Sequence, residues 1–204
     1  MTGTPVAVRP GLRERKKART RASIREHALR LFRERGYEAT TVDQIADAAD
    51  VSPSTFFRYF PTKEDVVLQD EFDPLAFDAF ERQPAHLSPV AAFRAAASEA
   101  FATLSQEELA WLNEKTELML TVPELRARTM DEYGRTIDQI AAALARRTGR
   151  DPAEFNVRAL AGAIVGVIMA ATMPWNEWAE DSAANEMHHR IDAALAQLEA
   201  GLPL

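Results

Sequence analysis

Basic residues cluster near the N-terminal end of the 204-residue chain. The cluster consists of Arg13, Arg15, Lys16, Lys17, Arg19 and Arg21. Clustered cations at a terminus are typical of proteins that bind polyanions, because Lys and Arg neutralise phosphates. The alternative is a solvated basic tail that binds no partner, and this is the favoured interpretation when such a cluster is considered by itself. The residues that follow the cluster therefore decide between the two interpretations.

The net charge of −7 at pH 7 argues against an acidic partner, but its distribution does not. Residues 1–63 hold 13 Lys and Arg against 7 Asp and Glu, a difference of +6. Residues 64–204 hold 11 Lys and Arg against 24 Asp and Glu, a difference of −13. A basic N-terminal part is therefore joined to an acidic remainder, which is compatible with a polyanion at one end only.

Two short helices separated by a tight turn are predicted directly after a longer basic helix. Thr41 with Gln44 forms a capping-box pattern, and Ser52 followed by Pro53 is an N-cap with proline at the first helical position. Asp50 lies where the turn needs a positive φ, which aspartate tolerates better than most residues. Small or apolar residues occupy the positions that a helix-turn-helix buries: Ile45, Ala46, Ala49, Val51, Phe56 and Tyr59.

The second of these helices is the predicted recognition helix, which lies in the major groove of DNA in such motifs. Ser52, Ser54 and Thr55 begin it, and their hydroxyls suit phosphates and base edges. The alternative is a helical hairpin with no role in DNA binding. The basic cluster upstream favours double-stranded DNA.

Helical periodicity continues through the rest of the chain and predicts an all-α protein of about nine helices. The first helix ends at Gly36, and the fourth runs from Thr62 to about Phe80. The predicted parts are a flexible arm (1–12), a helix-turn-helix domain (13–63) and a ligand-binding and dimerisation domain (64–204). The absence of cysteine excludes disulfides, zinc–thiolate sites and thiol nucleophiles.

Residues 31–46 (LFRERGYEATTVDQIA), followed by residues 51–64 (VSPSTFFRYFPTKE), resemble the DNA-binding domain of TetR-family regulators. The resemblance covers residues from about 20 to 70, and the chain length and helical layout also fit the family. It implies a homodimeric repressor that binds a palindromic operator and leaves it when a small-molecule inducer binds. Activation in place of repression is left open.

The resemblance also implies roles for single residues. Thr41 matches a phosphate contact, Thr55, Phe57 and Tyr59 match recognition-helix contacts, and Lys63 matches a lysine that touches the DNA backbone. Phe57 stands where the family often has tyrosine, which favours an apolar contact such as one with a thymine methyl. The predicted DNA-binding residues are Arg15, Lys16, Lys17, Arg19, Thr41, Ser52, Ser54, Thr55, Phe57, Tyr59 and Lys63.

Eighteen successive uncharged residues, 159–176, come close to the length of a membrane span. Ala, Gly, Thr and Pro dilute their hydrophobicity, so we expect a helix buried in a soluble core or dimer, with no membrane partner. In the family the last two long helices, here about 152–178 and 183–198, form a four-helix bundle between subunits. The predicted interface residues are Ile164, Ile168, Ile191, Leu195 and Leu198.

The helices between these two regions are rich in Phe, Trp, Met and Ala, which suits an apolar ligand. The predicted ligand residues are Phe101, Trp111, Met119, Arg126, Met130, Tyr133, Ile137, Met169, Met173 and Trp175. Ordinary core packing is the alternative for each of them. Residues 123–128 resemble a subgroup that binds acyl-CoA-like ligands. This resemblance implies that an arginine (Arg126, Arg128 or Arg135) binds the anionic head of the ligand. The alternative is that these arginines are solvated surface residues.

The titratable residues of the sequence show no pattern that is typical of an enzyme active site. His27, His86, His188 and His189 do not have the spacing of a zinc enzyme, and neither a phosphate-binding glycine loop nor a nucleophile elbow is present. We therefore expect no catalytic residues, no metal, no cofactor and a cytoplasmic location. The alternative function is a helical ligand-binding or interaction protein without operator binding.

Overall fold

The computed structural model describes residues 11–69, 72–172 and 184–203, which form α-helices and contain no strand. The predicted all-α class is therefore confirmed. The helices within these ranges are α1 (Leu12–Arg35), α2 (Val42–Ala48), α3 (Pro53–Tyr59), α4 (Lys63–Leu68), α5 (Phe72–Arg82), α6 (Pro89–Thr103), α7 (Gln106–Thr121), α8 (Pro123–Thr148), α9 (Phe155–Thr172) and α10 (Ala184–Glu199).

The chain divides into two compact units, Met1–Gln69 and Asp70–Leu204, which we call unit 1 and unit 2. This division falls six residues after the boundary predicted at Lys63. Helix α4 belongs to unit 1 because Val66, Val67 and Leu68 are buried in its core and α4 packs against α1. The arm predicted for residues 1–12 lies outside the described residues up to position 10, and α1 already begins at Leu12.

The single helix predicted from Thr62 to about Phe80 is wrong. Helix α4 ends at Leu68, and Gln69 has an extended backbone with φ −80° and ψ 123°. Pro74 explains the break, because proline inside a continuous helix lacks an N–H and clashes with the carbonyl four residues earlier. In the structure Pro74 lies in the first turn of α5, where these costs do not arise.

Unit 2 is built around one apolar core to which each of its helices contributes. Phe80 of α5, Leu112 of α7, Leu144 of α8 and Ile164 of α9 are buried in this core. Helix α9 packs against α8 and α10, and α10 also packs against α6 and α7. Burial of this apolar surface is the main favourable contribution to folding of the unit.

An ion-pair clamp joins α6 to α10 at the edge of this core. Arg94 donates from Nε to Asp192 Oδ1 (3.0 Å), from Nη2 to Asp192 Oδ2 (3.1 Å) and from Nη1 to Glu199 Oε2 (2.9 Å). The hydrogen bonds from Arg94 hold the pKa of Asp192 below its ordinary value of 3.8. The clamp therefore stabilises the folded state at neutral pH, where Asp192 is ionised.

We expect Arg94→Met to lower the free energy of unfolding by about 0.5–1 kcal/mol at pH 7, as for other partly exposed ion pairs. Because the pKa of Asp192 is lowered by folding, this stabilisation is present above pH 3.8 and is lost as the pH falls through the lower folded value. Urea titrations between pH 3 and 7 measure the difference between the two proteins.

Arg135→Met is the matched control, because Arg135 pairs with Glu132 within one turn of α8 and ties no second helix. A loss of stability in Arg94→Met that stayed the same from pH 7 to pH 3 would contradict the role of the ionised clamp.

Candidate functional site

Helices α2 and α3 form the predicted helix-turn-helix in unit 1. Asp50 has φ +53° at the turn, as predicted, and the N–H of Val51 donates to the carbonyl of Ala46 over 3.0 Å. Ile45 and Ala46 of α2 are fully buried, as is Phe56 of α3. The small side chain of Ala46 and the tight turn together allow α3 to cross close to α2.

One face of α3 is buried and the opposite face is open to solvent. Phe56 anchors the buried face, where its ring lies 5.9 Å from that of Phe60, between ring centroids. Ser54, Phe57 and Arg58 are exposed, and Phe57 keeps 51% of its surface accessible. The Phe57 ring packs edge-on against Phe56, with 5.5 Å between the ring centroids, and its accessible part is free to make an apolar contact.

The hydroxyls at the start of α3 form a connected group. Ser52 Oγ accepts a hydrogen bond from Thr55 N (3.1 Å), so Ser52 is the N-cap that was predicted. The same oxygen lies 2.9 Å from Ser54 Oγ and 3.0 Å from Thr55 Oγ1. Ser52 is therefore engaged within α3, whereas Ser54 lies at the exposed edge of the group and is the better placed to reach a phosphate.

Thr41 and Lys63 are brought together by the connection between α1 and α2. Thr41 and Gln44 form the predicted capping box, in which Thr41 Oγ1 accepts from Gln44 N and keeps its own O–H to donate. Lys63 Nζ donates to the carbonyls of Tyr37 (2.9 Å) and Thr40 (3.2 Å) and lies 4.1 Å from the centroid of the Tyr37 ring. Lys63 thus fixes the segment that carries Thr41.

The first turns of α1 carry the cations of the basic cluster. Arg15, Lys16, Lys17 and Arg19 are exposed on this helix. Arg21 differs, because its Nη2 donates to Gln69 Oε1 (2.9 Å) and its guanidinium lies 5.0 Å from the Phe60 ring centroid. The exposed cations and the hydroxyls of α3 therefore belong to one compact unit.

Arg58 is a candidate DNA contact that the sequence analysis missed. It is exposed on α3, and its guanidinium carbon lies 5.4 Å from the centroid of the Tyr59 ring. A basic residue inside the predicted recognition helix is the signal that could have identified it.

Most of the predicted ligand residues that the structure describes are part of the core of unit 2. Phe101 is buried, and Trp111, Tyr133, Ile137 and Met169 pack against the core. Burial raises the pKa of Tyr133. Met119 is half-buried on α7. Met173, Trp175 and the side chain of Met130 lie outside the described residues. The grouping of these residues into one ligand site stays a prediction.

The arginines predicted to bind an anionic head are not gathered in the interior of unit 2. Arg126 is exposed, Arg128 is half-buried, and exposed Arg135 donates to Glu132 Oε2 over 3.1 Å. Among the described residues of unit 2, the basic residue that is buried is Lys115 of α7, whose burial was not predicted and which keeps 8% of its surface accessible. Its position three residues after Leu112, on the same face of α7, is the signal that could have found it.

Three of the predicted dimer residues are buried inside the protomer, and the assignment of the interface stays a prediction. Ile164, Ile191 and Leu195 belong to the core of unit 2, and only Ile168 and Leu198 are partly exposed. Their apolar spacing marks the face of each helix that packs on its own subunit.

The outward face of α9 is apolar and open in the protomer. It consists of Phe155, which is 82% exposed, with Ala159, Gly166 and Ala170. A Cβ atom added at Gly162 or Gly166 would meet no atom within 4 Å. Helix α9 is long and apolar enough to span a membrane, with mean hydropathy 1.6, but its other face packs against α8 and α10.

A helix-turn-helix with exposed cations on the preceding helix, in a chain with a second, larger helical unit, defines a DNA-binding transcriptional regulator. Residues 24–69 match the family model of "Bacterial regulatory proteins, tetR family", and residues 87–203 match that of the "MftR C-terminal domain". The chain therefore belongs to the TetR family of transcriptional regulators.

Curated relatives include the regulators TcmR and MftR. TcmR of Streptomyces glaucescens is 37% identical over 140 residues, which are 67% of this chain but only 62% of TcmR. MftR of Mycobacterium tuberculosis, which carries the name of a mycofactocin biosynthesis transcriptional regulator, is 28% identical over 92% of this chain and 93% of its own length.

Solved structures of the family share the fold. Thermus thermophilus FadR, described as a repressor in complex with lauroyl-CoA, is 26% identical over 90% of this chain and 95% of that chain, with a TM-score of 0.55. A TetR-family regulator from Syntrophomonas wolfei is 19% identical over 92% of this chain and 98% of that chain, with a TM-score of 0.63.

We expect Lys63→Met to lower the free energy of unfolding of unit 1 by about 1.5–3 kcal/mol, because two carbonyls lose a charged donor. The loss is measured by urea unfolding without DNA. Arg30→Met, at an exposed position of α1, is the comparison. Unchanged stability with weakened DNA binding would show that Lys63 acts only as a phosphate contact.

Proposed function

We propose that this regulator is a cytoplasmic repressor that binds a palindromic operator as a homodimer and is released by an apolar small molecule. The main support for the proposal is the exposed face of α3. Ser54, Phe57 and Arg58 lie on this face, whereas Phe56 of the same helix is buried. A recognition helix needs this combination of a rigid anchor and an exposed polar, basic and apolar surface.

The exposed side chains of α3 have distinct roles in this proposal. Arg58 suits the O6 and N7 acceptors of guanine, and Phe57 suits the methyl group of thymine. Ser54, Thr41 and the third N–H of Lys63 suit phosphate oxygens, which fix the register of the helix. Thr55 and Tyr59 are half-buried and border this surface.

The cations of α1 supply the part of the affinity that does not depend on DNA sequence. Arg15, Lys16, Lys17 and Arg19 lie within two turns of one helix and are exposed. Each phosphate that they neutralise releases counterions, so the affinity falls steeply as the salt concentration rises.

We expect the double variant Lys16→Gln, Lys17→Gln to weaken binding to duplex DNA at low salt. The slope of log K against log[salt] should become shallower by about one unit for each phosphate that the variant no longer neutralises. Fluorescence anisotropy with DNA from upstream of the gene, at several salt concentrations, measures both effects.

The matched control is Arg126→Gln, Arg158→Gln, which removes two exposed cations from unit 2. Equal slopes for the wild type and both double variants would contradict DNA binding through α1. Binding of the wild type that did not respond to salt would contradict the proposed function itself.

The open face of α9 supports the homodimer in this proposal. Phe155, Ala159, Gly166 and Ala170 form an apolar row without a bulky side chain beyond Phe155. Gly162 and Gly166 are four residues apart, a spacing that lets two helices approach closely. Ala193 and Gln197 of α10, the helix that packs against α9, are also exposed. A two-fold axis there would give the symmetry that a palindrome requires.

We expect Gly166→Arg to convert the dimer to a monomer, because a charged side chain would enter the closest approach of the two helices. Analytical ultracentrifugation gives the mass. Gly134→Arg is the control, because Gly134 is also helical, exposed and free of neighbours within 4 Å of an added Cβ. A dimer that persisted in Gly166→Arg would place the interface elsewhere.

The apolar inducer in this proposal is supported by the composition of unit 2. Trp111, Tyr133, Ile137 and Met169 surround the core on several helices, and such side chains line the sites of apolar ligands. The likeness to FadR, whose structure holds lauroyl-CoA, points in the same direction.

A further inference from the structure

Phe57 is a large apolar side chain that the helix-turn-helix leaves open to solvent. Among the described residues of α2 and α3, it is the large apolar side chain that is exposed, with 51% of its surface accessible. The preceding residue, Phe56, is fully buried and anchors α3 in unit 1. The packing of α3 therefore leaves about half of the Phe57 ring available for another contact.

The ring of Phe57 is held in a defined position. It packs edge-on against the ring of Phe56, with 5.5 Å between the centroids and 87° between the ring planes. Phe56 in turn lies 5.9 Å from Phe60, which is also fully buried. Because few side-chain torsions remain to be ordered, the accessible part of the Phe57 ring can meet a partner at little cost in conformational entropy.

Polar side chains flank Phe57 on the exposed face of α3. Ser54 lies one helical turn before it, and Arg58 follows it directly; both are exposed. A hydroxyl and a guanidinium can form hydrogen bonds with phosphates and base edges. The Phe57 ring has no polar atom, so it can only make apolar contacts.

The apolar group that a base presents in the major groove is the 5-methyl group of thymine. Cytosine that is methylated at C5 carries the same methyl group at the same ring position. The two bases differ at C4, where thymine has an acceptor and cytosine has a donor. A phenyl ring forms a hydrogen bond with neither, so Phe57 can distinguish a methylated pyrimidine from an unmethylated one but not thymine from 5-methylcytosine.

We propose that Phe57 reads the 5-methyl group of a pyrimidine in each half-site, whether thymine or 5-methylcytosine carries it. Binding of this regulator then responds to DNA methylation, because methylation of a cytosine at that position strengthens the complex. This inference rests on the proposed function, since it assumes that α3 lies in the major groove.

The test uses the full-length protein and a duplex selected from a random pool. At each thymine of the half-site in turn, thymine is replaced in both half-sites by uracil, 5-methylcytosine or cytosine, the last two paired with guanine. Burial of one methyl group contributes about a fourfold factor in affinity, so two half-sites contribute about fifteenfold. At one position we expect thymine to bind about fifteenfold more tightly than uracil, and 5-methylcytosine to exceed cytosine by the same factor. Fluorescence anisotropy measures the four affinities.

Three variants assign the preference to the Phe57 ring. Phe57→Ser should bring both ratios, thymine to uracil and 5-methylcytosine to cytosine, to about one, whereas Phe57→Leu keeps an apolar side chain and should retain a preference for the methyl group. Arg58→Ala is the control: it should weaken binding to all four duplexes and leave both ratios as in the wild type. Urea unfolding without DNA shows that each variant is folded.

The outcomes separate this inference from the proposed function. A wild type that binds thymine and uracil equally at every position has no methyl contact. Ratios that persist in Phe57→Ser arise from the shape of the DNA and overturn the role of Phe57. A preference for thymine over uracil without one for 5-methylcytosine over cytosine overturns the response to methylation. Each of these results leaves sequence-specific binding intact, whereas failure to select any sequence contradicts the proposed function and this inference with it.

Discussion

The DNA-reading part of this regulator depends on the buried face of α1. Helices α2 and α3 have seven residues each, and isolated helices of that length are unstable in water. They persist because Ile45 and Phe56 are buried in a core to which α1 contributes Ile24 and Phe32. The first two turns of α1, which precede this buried face, carry exposed cations, so a single helix supports the predicted recognition helix and also presents positive charge at the surface of unit 1.

In unit 2, helix α9 likewise has one buried face and one exposed face, but its exposed face is apolar. Helix α9 buries Ile164 and its neighbours against α8 and α10, while its outward face remains apolar and uncovered in the protomer. Such a face is unfavourable in water, and a second copy of the same face is the partner that we propose for it. In the proposed dimer, Gly162 and Gly166 would reduce the distance of closest approach and thereby increase the contact area between the two backbones.

The helix-turn-helix could be predicted because its signals are local. Capping residues, the proline after Ser52 and the tolerance of Asp50 for positive φ depend on neighbours in the sequence, and the structure has them as predicted. The burial of Ile164, Ile191 and Leu195 within the protomer could not be predicted in this way. Helical periodicity identifies the apolar face of α9 that holds Ile164 and that of α10 that holds Ile191 and Leu195. It does not say whether another helix of the same chain or a second subunit covers such a face. Lys115 was missed for a related reason, because a lysine is assigned to the surface until the row that contains it is known to be buried.

Selection of bound sequences from a random pool of duplex DNA, with the full-length protein, tests the central claim most directly. We expect enrichment of sites with two-fold symmetry whose half-sites lie about 10 base pairs, one helical turn, apart or a multiple of that spacing. Failure to enrich any sequence would contradict the assignment of α3 as a recognition helix. Enrichment of a single asymmetric half-site would contradict the symmetric dimer.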